Sequence, residues 1–413
     1  MTPVPLQRRL SLTDSIVIGL GSMVGAGIFA ALAPAAAAAG SGLLIALAIA
    51  AVVAYCNATS SASLARRYPQ SGGTYVYGRE RLGEFWGYLA GWGFVVGKTA
   101  SCAAMALTIG AYAWPEQQHL IAAIAVLGVT AINYLGVQKS ALATRVIVAV
   151  VLTVLVAAVV ACAAGPHAGG SLTSAIDAGG VLQAAGLLFF AFAGYARIAT
   201  LGEEVVEPER TIPRAITIAL GISLVVYALV AVAVLSALGP DRLATATDPL
   251  RAAVTAAGAA WLAPIVSVGA VVAATGSLLA LVLGVSRTTL AMARDGHLPR
   301  ALDVVHPKYG VPHRAELAVG VVVAVLAATL DLRSAIGFSS FAVLVYYLIA
   351  NASAATLHAD EGRPARAIPV LGAVGCVVLA FSLPAWSVLI GLGVFALGAT
   401  VWALRARVSP PQG

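Results

Sequence analysis

The feature that most constrains this chain is a hydrophobic run broken by glycines. Residues 21–29 read GSMVGAGIF, and a second interrupted run at 189–195 reads FFAFAGY. Hydrocarbon offers backbone N–H and C=O groups no hydrogen-bond partner, so a helix broken at membrane depth is tolerated only inside protein or beside a water-filled cavity. Two such breaks, in corresponding positions of two halves, predict a transport site.

The composition predicts an all-α polytopic membrane protein with short loops. Of its 413 residues, 60% are apolar and only 10% charged, whereas about a quarter of the residues in a soluble domain are charged. A helix needs about 20 apolar residues to cross roughly 30 Å of hydrocarbon. Twelve such spans are predicted, at 14–37, 40–65, 84–113, 118–138, 141–164, 178–201, 213–238, 260–290, 314–331, 334–357, 367–384 and 386–405.

The positive charges indicate the orientation in the membrane. Of the 24 Lys and Arg residues, nineteen lie at span ends assigned to the cytoplasm. Three lie on the other side of the membrane, Arg242, Arg251 and Arg333, and two lie within spans, Lys98 and Arg197. By the positive-inside rule, both termini are cytoplasmic in a multi-pass protein of the cell membrane. The net charge of +7 therefore reflects contact with membrane lipid, and no nucleic-acid partner is expected.

The spans divide into two blocks of similar length. After a cytoplasmic segment, 1–13, spans 1 to 5 occupy 14–164 and spans 6 to 10 occupy 178–357. Five is an odd number, so the second block enters the membrane with inverted topology, as in many secondary transporters. Spans 11 and 12 (367–405) and a cytoplasmic tail (406–413) follow. The alternative is that the blocks share hydropathy without a true repeat.

The break in span 1 is chemically suited to a zwitterion. Glycines 21, 25 and 27 let the chain unwind, and the N–H groups and dipole at the start of the remaining half-helix attract a carboxylate. Unwound carbonyls and the C-terminal end of a facing half-helix attract an ammonium group. The alternative is close helix packing, because Gly21 and Gly25 also form a small-xxx-small pair.

Four motifs, in this order, resemble those of the amino acid/polyamine/organocation (APC) permeases. They are GSMVGAGIF at 21–29, SGGTY at 71–75, FFAFAGYARIATLGEEVVEPERTIPRAI at 189–216 and AMARDGHLP at 291–299. The longest is most similar to the cationic amino acid transporter branch. The resemblance implies a LeuT-like fold, a 5+5 inverted repeat with helices 1 and 6 broken plus two C-terminal helices, and an alternating-access mechanism.

The resemblance also implies a substrate site. The substrate carboxylate would meet backbone N–H groups at Val24, Gly25, Ala26 and Gly27. The ammonium group would meet carbonyls at Phe190, Ala191 and Ala193. Phe192 and Tyr195 would flank the substrate side chain or gate the site, with plain packing in an apolar helix as the alternative.

The chain departs from the family at the positions that would carry coupling. Ala196 stands where many relatives have an acidic or small polar residue, and Val151 falls near the position where several relatives have a lysine. Lys98, halfway along span 3, is therefore the candidate for proton coupling, because an ionisable residue within the membrane is a functional candidate by default. The alternative is a permanently charged Lys98 that braces a broken helix by bonding its carbonyls.

The expected function is secondary active transport of amino acids by proton-coupled symport, with an amino acid or amine exchanger or an uncoupled facilitator as the alternative. No enzyme activity, cofactor or metal is expected, and the oligomer is expected to be a monomer or homodimer. The acidic and basic residues after span 6, Glu203, Glu204 and Arg210, are expected to pair at a cytoplasmic gate. No disulfide is expected from the cysteines, Cys56, Cys102, Cys162 and Cys376.

Overall fold

The computed structural model describes residues 10–70, 72–136, 141–167, 177–199 and 204–408. The predicted terminal segments therefore lie partly outside the described residues, as do Glu203 and Lys139.

The described chain is helical. Its seventeen α-helices are α1 (Leu12–Met23), α2 (Ala26–Ala30), α3 (Leu32–Ala39), α4 (Leu43–Arg67), α5 (Thr74–Leu82), α6 (Glu84–Ala113), α7 (Gln118–Tyr134), α8 (Ala141–Ala164), α9 (Ala178–Phe192), α10 (Ala196–Ala199), α11 (Pro208–Thr245), α12 (Pro249–Ala256), α13 (Ala263–Arg294), α14 (His313–Thr329), α15 (Leu332–Ala355), α16 (Ala367–Ser382) and α17 (Ala385–Val408). Short 3₁₀ turns join several of them. The strand-like pairing in the described residues is one isolated bridge between Leu10 and Val205.

Nine helical segments of the described chain are long and apolar enough to cross a membrane. A multi-pass membrane protein is therefore the architecture. Every predicted span overlaps one of the helices or a run of consecutive helices. The count of twelve spans and the inverted repeat stay predictions.

Helix α6 lies at the centre of the bundle. Its most apolar stretch is 83% buried, whereas that of α17 is 17% buried. Glycines allow this close packing: a Cβ atom at Gly97 would lie 2.7 Å from the Cβ of Ala342 on α15, a distance that only a residue without a Cβ permits. The central position of α6 puts its residue Lys98 deep inside the protein.

The turn between α4 and α5 depends on two glycines with positive φ. Gly72 has φ 132° and Gly73 has φ 57°, values that residues with a Cβ rarely adopt. The turn lets α5 begin at Thr74 and places Tyr75 and Tyr77 inward, both buried. The SGGTY motif therefore directs aromatic side chains of a short non-spanning helix towards the bundle.

Candidate functional site

The first break interrupts the helix completely. Helix α1 ends at Met23 and α2 begins at Ala26, and between them Val24 (φ −79°, ψ 43°) and Gly25 (φ −101°, ψ −136°) leave the helical region. The hydroxyl of Ser277, on α13, donates to the carbonyl of Gly21 at 2.9 Å. A side chain from another helix thus satisfies a carbonyl that the break leaves without its helical partner.

The second break is milder than the sequence predicts. Helix α9 ends at Phe192, residues 193–195 form a 3₁₀ turn, and α10 continues from Ala196. Ala193 keeps φ −66° and ψ 0°, close to helical values. The helix is tightened here rather than unwound, because the 3₁₀ turn replaces one kind of local hydrogen bond by another.

The two breaks touch each other at glycines. A Cβ atom at Gly27 would lie 2.6 Å from the Cα of Ala191, and one at Gly194 would lie 2.3 Å from the carbonyl oxygen of Ser22. Each break therefore presents a glycine to the backbone of the other. Close helix packing, the alternative to a binding role, is the observed environment of both glycines.

A tyrosine that the sequence analysis did not single out links the two breaks. The hydroxyl of Tyr227, on α11, lies 2.6 Å from the carbonyl oxygen of Met23 and 2.9 Å from that of Ala191. Because a phenol has one proton, it donates to one of these carbonyls at a time. The ring of Phe192 packs edge-on against it, with centroids 5.0 Å apart. The sequence signal that could have identified this residue is the position of a tyrosine in the middle of the otherwise apolar span 7.

Lys98 bonds directly to the second break. Its side chain is 5% exposed, and Nζ donates to the carbonyl of Ala193 at 3.1 Å. The hydroxyl of Tyr347, on α15, donates to the same carbonyl at 3.4 Å, and the ring of Tyr195 stacks on Tyr347 with centroids 5.1 Å apart. This is the contact that a bracing role for Lys98 requires.

A cavity of about 730 Å³ joins the breaks to one end of the bundle. Of the predicted site residues, it is lined by Gly27, Lys98, Phe190, Ala191 and Ala193. The other predicted residues lie outside its lining and are buried around the breaks; they are Val24, Gly25, Ala26, Phe192 and Tyr195. Near the breaks, lining residues that the prediction of the site did not include are Ser22, Met23, Gly194, Ala196, Arg197 and Ser277, and other such residues line the cavity towards its mouth.

The mouth of the cavity brings two sequence motifs together. Tyr75, of SGGTY, donates its hydroxyl to Asp295, of AMARDGHLP, and Nδ1 of His297 lies 2.9 Å from the same hydroxyl. Arg79 forms an ion pair with Asp295 at 3.5 Å. Burial raises the pKa of Tyr75, as does its bond to Asp295, and burial lowers the pKa of His297. Tyr75 therefore stays a donor, and His297 is neutral at pH 7.

The opposite end of the bundle is closed by aromatic packing. Phe29 and Tyr112 meet edge-to-face with centroids 5.7 Å apart. The Tyr112 hydroxyl donates to the Phe29 carbonyl at 3.1 Å and accepts from the N–H of Leu250 at 3.3 Å. Beyond this layer a separate cavity of about 270 Å³ is lined by residues such as His119 and Arg333. Neither Phe29 nor Tyr112 lines the cavity at the breaks.

Charged residues of the segment after the second break form two ion pairs. Glu204 faces Arg287 at 4.0 Å, and Arg210 faces Glu207 at 3.8 Å.

Among the residues that the structure describes, no group of three or more His, Cys, Asp and Glu side chains is arranged to hold a metal ion.

Comparison with known proteins identifies the family. A family model described as amino acid permease matches residues 10–404. The chain belongs to the amino acid permease family. This confirms the resemblance to APC permeases that the four motifs indicate.

The permease is similar to named transporters along nearly its whole length. It is 69% identical to an uncharacterized transporter of Mycobacterium tuberculosis, over 98% of this chain and 93% of the relative. It is 27% identical to a branched-chain amino acid permease of Bacillus subtilis, over 97% of this chain and 94% of the relative. It is 29% identical to human cationic amino acid transporter 4, over 87% of this chain and 61% of the relative. The relatives of this permease are transporters.

Proposed function

We propose that this permease is a secondary transporter that moves amino acids across the cell membrane by alternating access. The observation that carries the proposal is the cavity of about 730 Å³, which meets both broken helices and reaches one end of the bundle. At the other end, Phe29 and Tyr112 close the path. With both termini in the cytoplasm, as the positive charges predict, the open end faces the cytoplasm and this is an inward-facing state.

Head-group recognition is proposed for the two breaks. The substrate carboxylate would approach the N–H groups of Gly25, Ala26 and Gly27, at the start of α2, where the helix dipole favours negative charge; the N–H of Val24, the fourth predicted donor, bonds the carbonyl of Leu20 at 2.7 Å and would have to leave it. Its ammonium group would approach the carbonyls of Phe190, Ala191 and Ala193. Relatives named for branched-chain and for cationic amino acids share the α-amino acid head group, which supports backbone recognition of that group.

Phe192 and Tyr195 are proposed to gate the site. In this structure the ring of Phe192 packs against Tyr227, and the ring of Tyr195 packs against Tyr347. A shift of the short turn at 193–195 would carry both rings with it. The gate would then move together with the carbonyls that face the substrate.

Lys98 is proposed as the coupling residue of a proton symporter. Its bond to Ala193 ties the charge of Lys98 to the helix that must move. Loss of a proton would weaken that bond, because the neutral amine that remains is a poorer hydrogen-bond donor than the ammonium group. Exchange or facilitated diffusion is the second candidate, and the apolar Val151 at the position of the usual lysine favours it.

Reconstitution of the purified chain in liposomes tests whether the protein transports amino acids and whether that transport is coupled to protons. Uptake of amino acids that exceeds protein-free liposomes supports transport, and stimulation by an inward proton gradient supports symport. Lys98→Met should abolish gradient-driven uptake while amino acid counterflow continues. Unchanged pH dependence in Lys98→Met would remove Lys98 from the coupling mechanism, and absence of uptake and of counterflow for all twenty amino acids would contradict the proposed function.

A further inference from the structure

The interior of the cavity carries a basic side chain without an acidic partner. In the part of the chain that the structure describes, the hydrogen bond of Lys98 Nζ to the Ala193 carbonyl is its one hydrogen bond, and no carboxylate lies within ion-pair distance. An ammonium group has three N–H donors. A buried charge is costly until an opposite charge or further hydrogen bonds compensate it, so an anionic ligand beside Lys98 is stabilised.

The acidic residues of the cavity lining lie at the mouth and face arginines. Asp295 pairs with Arg79 at 3.5 Å, and Glu204 faces Arg287 at 4.0 Å. Each carboxylate is therefore matched by a guanidinium group of the same lining. Neither carboxylate offsets the charge of Lys98 at the breaks.

The one acidic side chain that is buried among the described residues does not offset Lys98 either. Glu316, on α14, is fully buried, and neither carboxylate oxygen has a hydrogen-bond partner. It does not line the cavity.

Two of the carbonyls proposed for the substrate's ammonium group, those of Ala191 and Ala193, already accept hydrogen bonds from the protein, so they are poorly placed to receive a second cationic group from a basic side chain. Ala193 O accepts from both Lys98 and Tyr347, which uses its two lone pairs. The carbonyls of Met23 and Ala191 share the hydroxyl of Tyr227. A basic substrate side chain in this region would be repelled by Lys98, since like charges at short range in a poorly solvated site interact strongly.

We infer that the substrate carries a net negative charge: an amino acid with an acidic side chain, whose side-chain carboxylate pairs with Nζ of Lys98. This inference rests on the proposed function and specifies its substrate class. A cavity of about 730 Å³ lies in the range of roughly 300–1,000 Å³ that is usual for small-molecule sites. A dicarboxylic amino acid offers one carboxylate to the start of α2 and the other to Lys98.

Ligand protection of the purified full chain tests the substrate class. Thermal stability is measured with glutamate and aspartate, with their neutral amides glutamine and asparagine, and with leucine and arginine, all at one fixed pH so that coupling does not enter. The acids should protect at concentrations about tenfold lower than the amides, since hydrogen bonds to charged groups are stronger than neutral ones.

Three variants assign the preference to Lys98. In Lys98→Met, glutamate should protect no better than glutamine, whereas Lys98→Arg should keep the preference for acids. Arg242→Gln is the matched control, because Arg242 is exposed and lines neither cavity; it should rank ligands as the wild type does. Melting without ligand establishes that each variant is folded.

The outcomes separate the inference from the proposed function. Protection by glutamine, leucine or arginine without protection by the acids would overturn the substrate class and leave amino acid transport intact. A preference for acids that persists in Lys98→Met would overturn the role of Lys98. Absence of protection and of uptake for every amino acid would instead contradict the proposed function.

Discussion

The two helix breaks differ although each contains a glycine near the middle of its span. The first separates α1 from α2 by residues with non-helical dihedrals, Val24 and Gly25. The second is a 3₁₀ turn at 193–195 with nearly helical dihedrals. The first break thus takes two residues out of the helix, whereas the second keeps a short, tight turn.

The glycines of the two breaks also meet different neighbours. A Cβ atom at Gly25 would lie 2.0 Å from the Ser277 hydroxyl, a side chain, and one at Gly194 would lie 2.3 Å from the Ser22 carbonyl, which is backbone. A side chain can rotate away, but a backbone carbonyl cannot move without its helix. Substitution of Gly194 should therefore be harder to accommodate than substitution of Gly25.

Gly194→Ala should have the largest effect. The added methyl group would overlap Ser22 and Met23 of the first break, and the helices must separate to admit it. We expect a loss of about 3 kcal/mol or more in stability, at the upper end for overpacking, and loss of uptake. Thermal unfolding in detergent and uptake in liposomes measure the two effects. Wild-type uptake in this variant would contradict the close contact between the breaks.

Gly25→Ala should have a smaller effect that a second substitution relieves. The obstacle is the side chain of Ser277, whose Oγ and Cβ would lie 2.0 Å and 2.9 Å from the new methyl group. We expect a destabilisation of about 2 kcal/mol. Thermal unfolding of Gly25→Ala/Ser277→Gly should show partial recovery. If the double variant is less stable than the sum of the single variants predicts, the methyl group meets something other than Ser277.

The sequence predicts the fold better than the site. Apolar length and the placement of Lys and Arg locate helices at every predicted span, because burial in hydrocarbon requires long helices whatever their partners. The glycines of both breaks were also recognised. A bond from Lys98 to carbonyls of a broken helix was the alternative considered for that residue, and the structure shows that the acceptor is Ala193. The contacts of Tyr227 with Met23 and Ala191 were not recognised, since they join spans distant in sequence and depend on how the helices pack.

The family motifs could be recognised in sequence without revealing that two of them meet. Tyr75 of SGGTY bonds Asp295 of AMARDGHLP across the cavity mouth, a contact between residues more than two hundred positions apart. Their positions after predicted spans 2 and 8 place both motifs in connections between spans. The contacts of Tyr75 and Arg79 with Asp295 show that both connections form the same rim.

Tyr227→Phe should loosen the link between the two breaks at moderate cost. The variant keeps the ring that packs on Phe192 and removes the hydroxyl that the carbonyls of Met23 and Ala191 share. Loss of one buried hydrogen bond costs about 1–2 kcal/mol. We expect a lower unfolding temperature and altered uptake kinetics. Equal stability of Tyr227→Phe and wild type would mean that water replaces the hydroxyl and that the link does not hold the breaks together.

Gly21→Ala should have the smallest effect, and it separates packing from unwinding at the first break. A Cβ atom at Gly21 would lie 3.3 Å from Val148 and 3.4 Å from Thr144, both side-chain methyl groups of α8, so a small adjustment admits it. Gly21 lies within α1, where alanine is favoured over glycine by up to about 1 kcal/mol. The cost of the close contact and the gain in helix preference nearly cancel. Gly221→Ala is the control that measures the helix preference alone, because a Cβ atom at Gly221 would have no neighbour within 4 Å. Gly21→Ala could abolish uptake while its unfolding temperature stays near that of wild type. That result would mean that the transport cycle needs flexibility at Gly21. The first break would then extend one helical turn towards the N-terminus, beyond the residues whose dihedrals are non-helical.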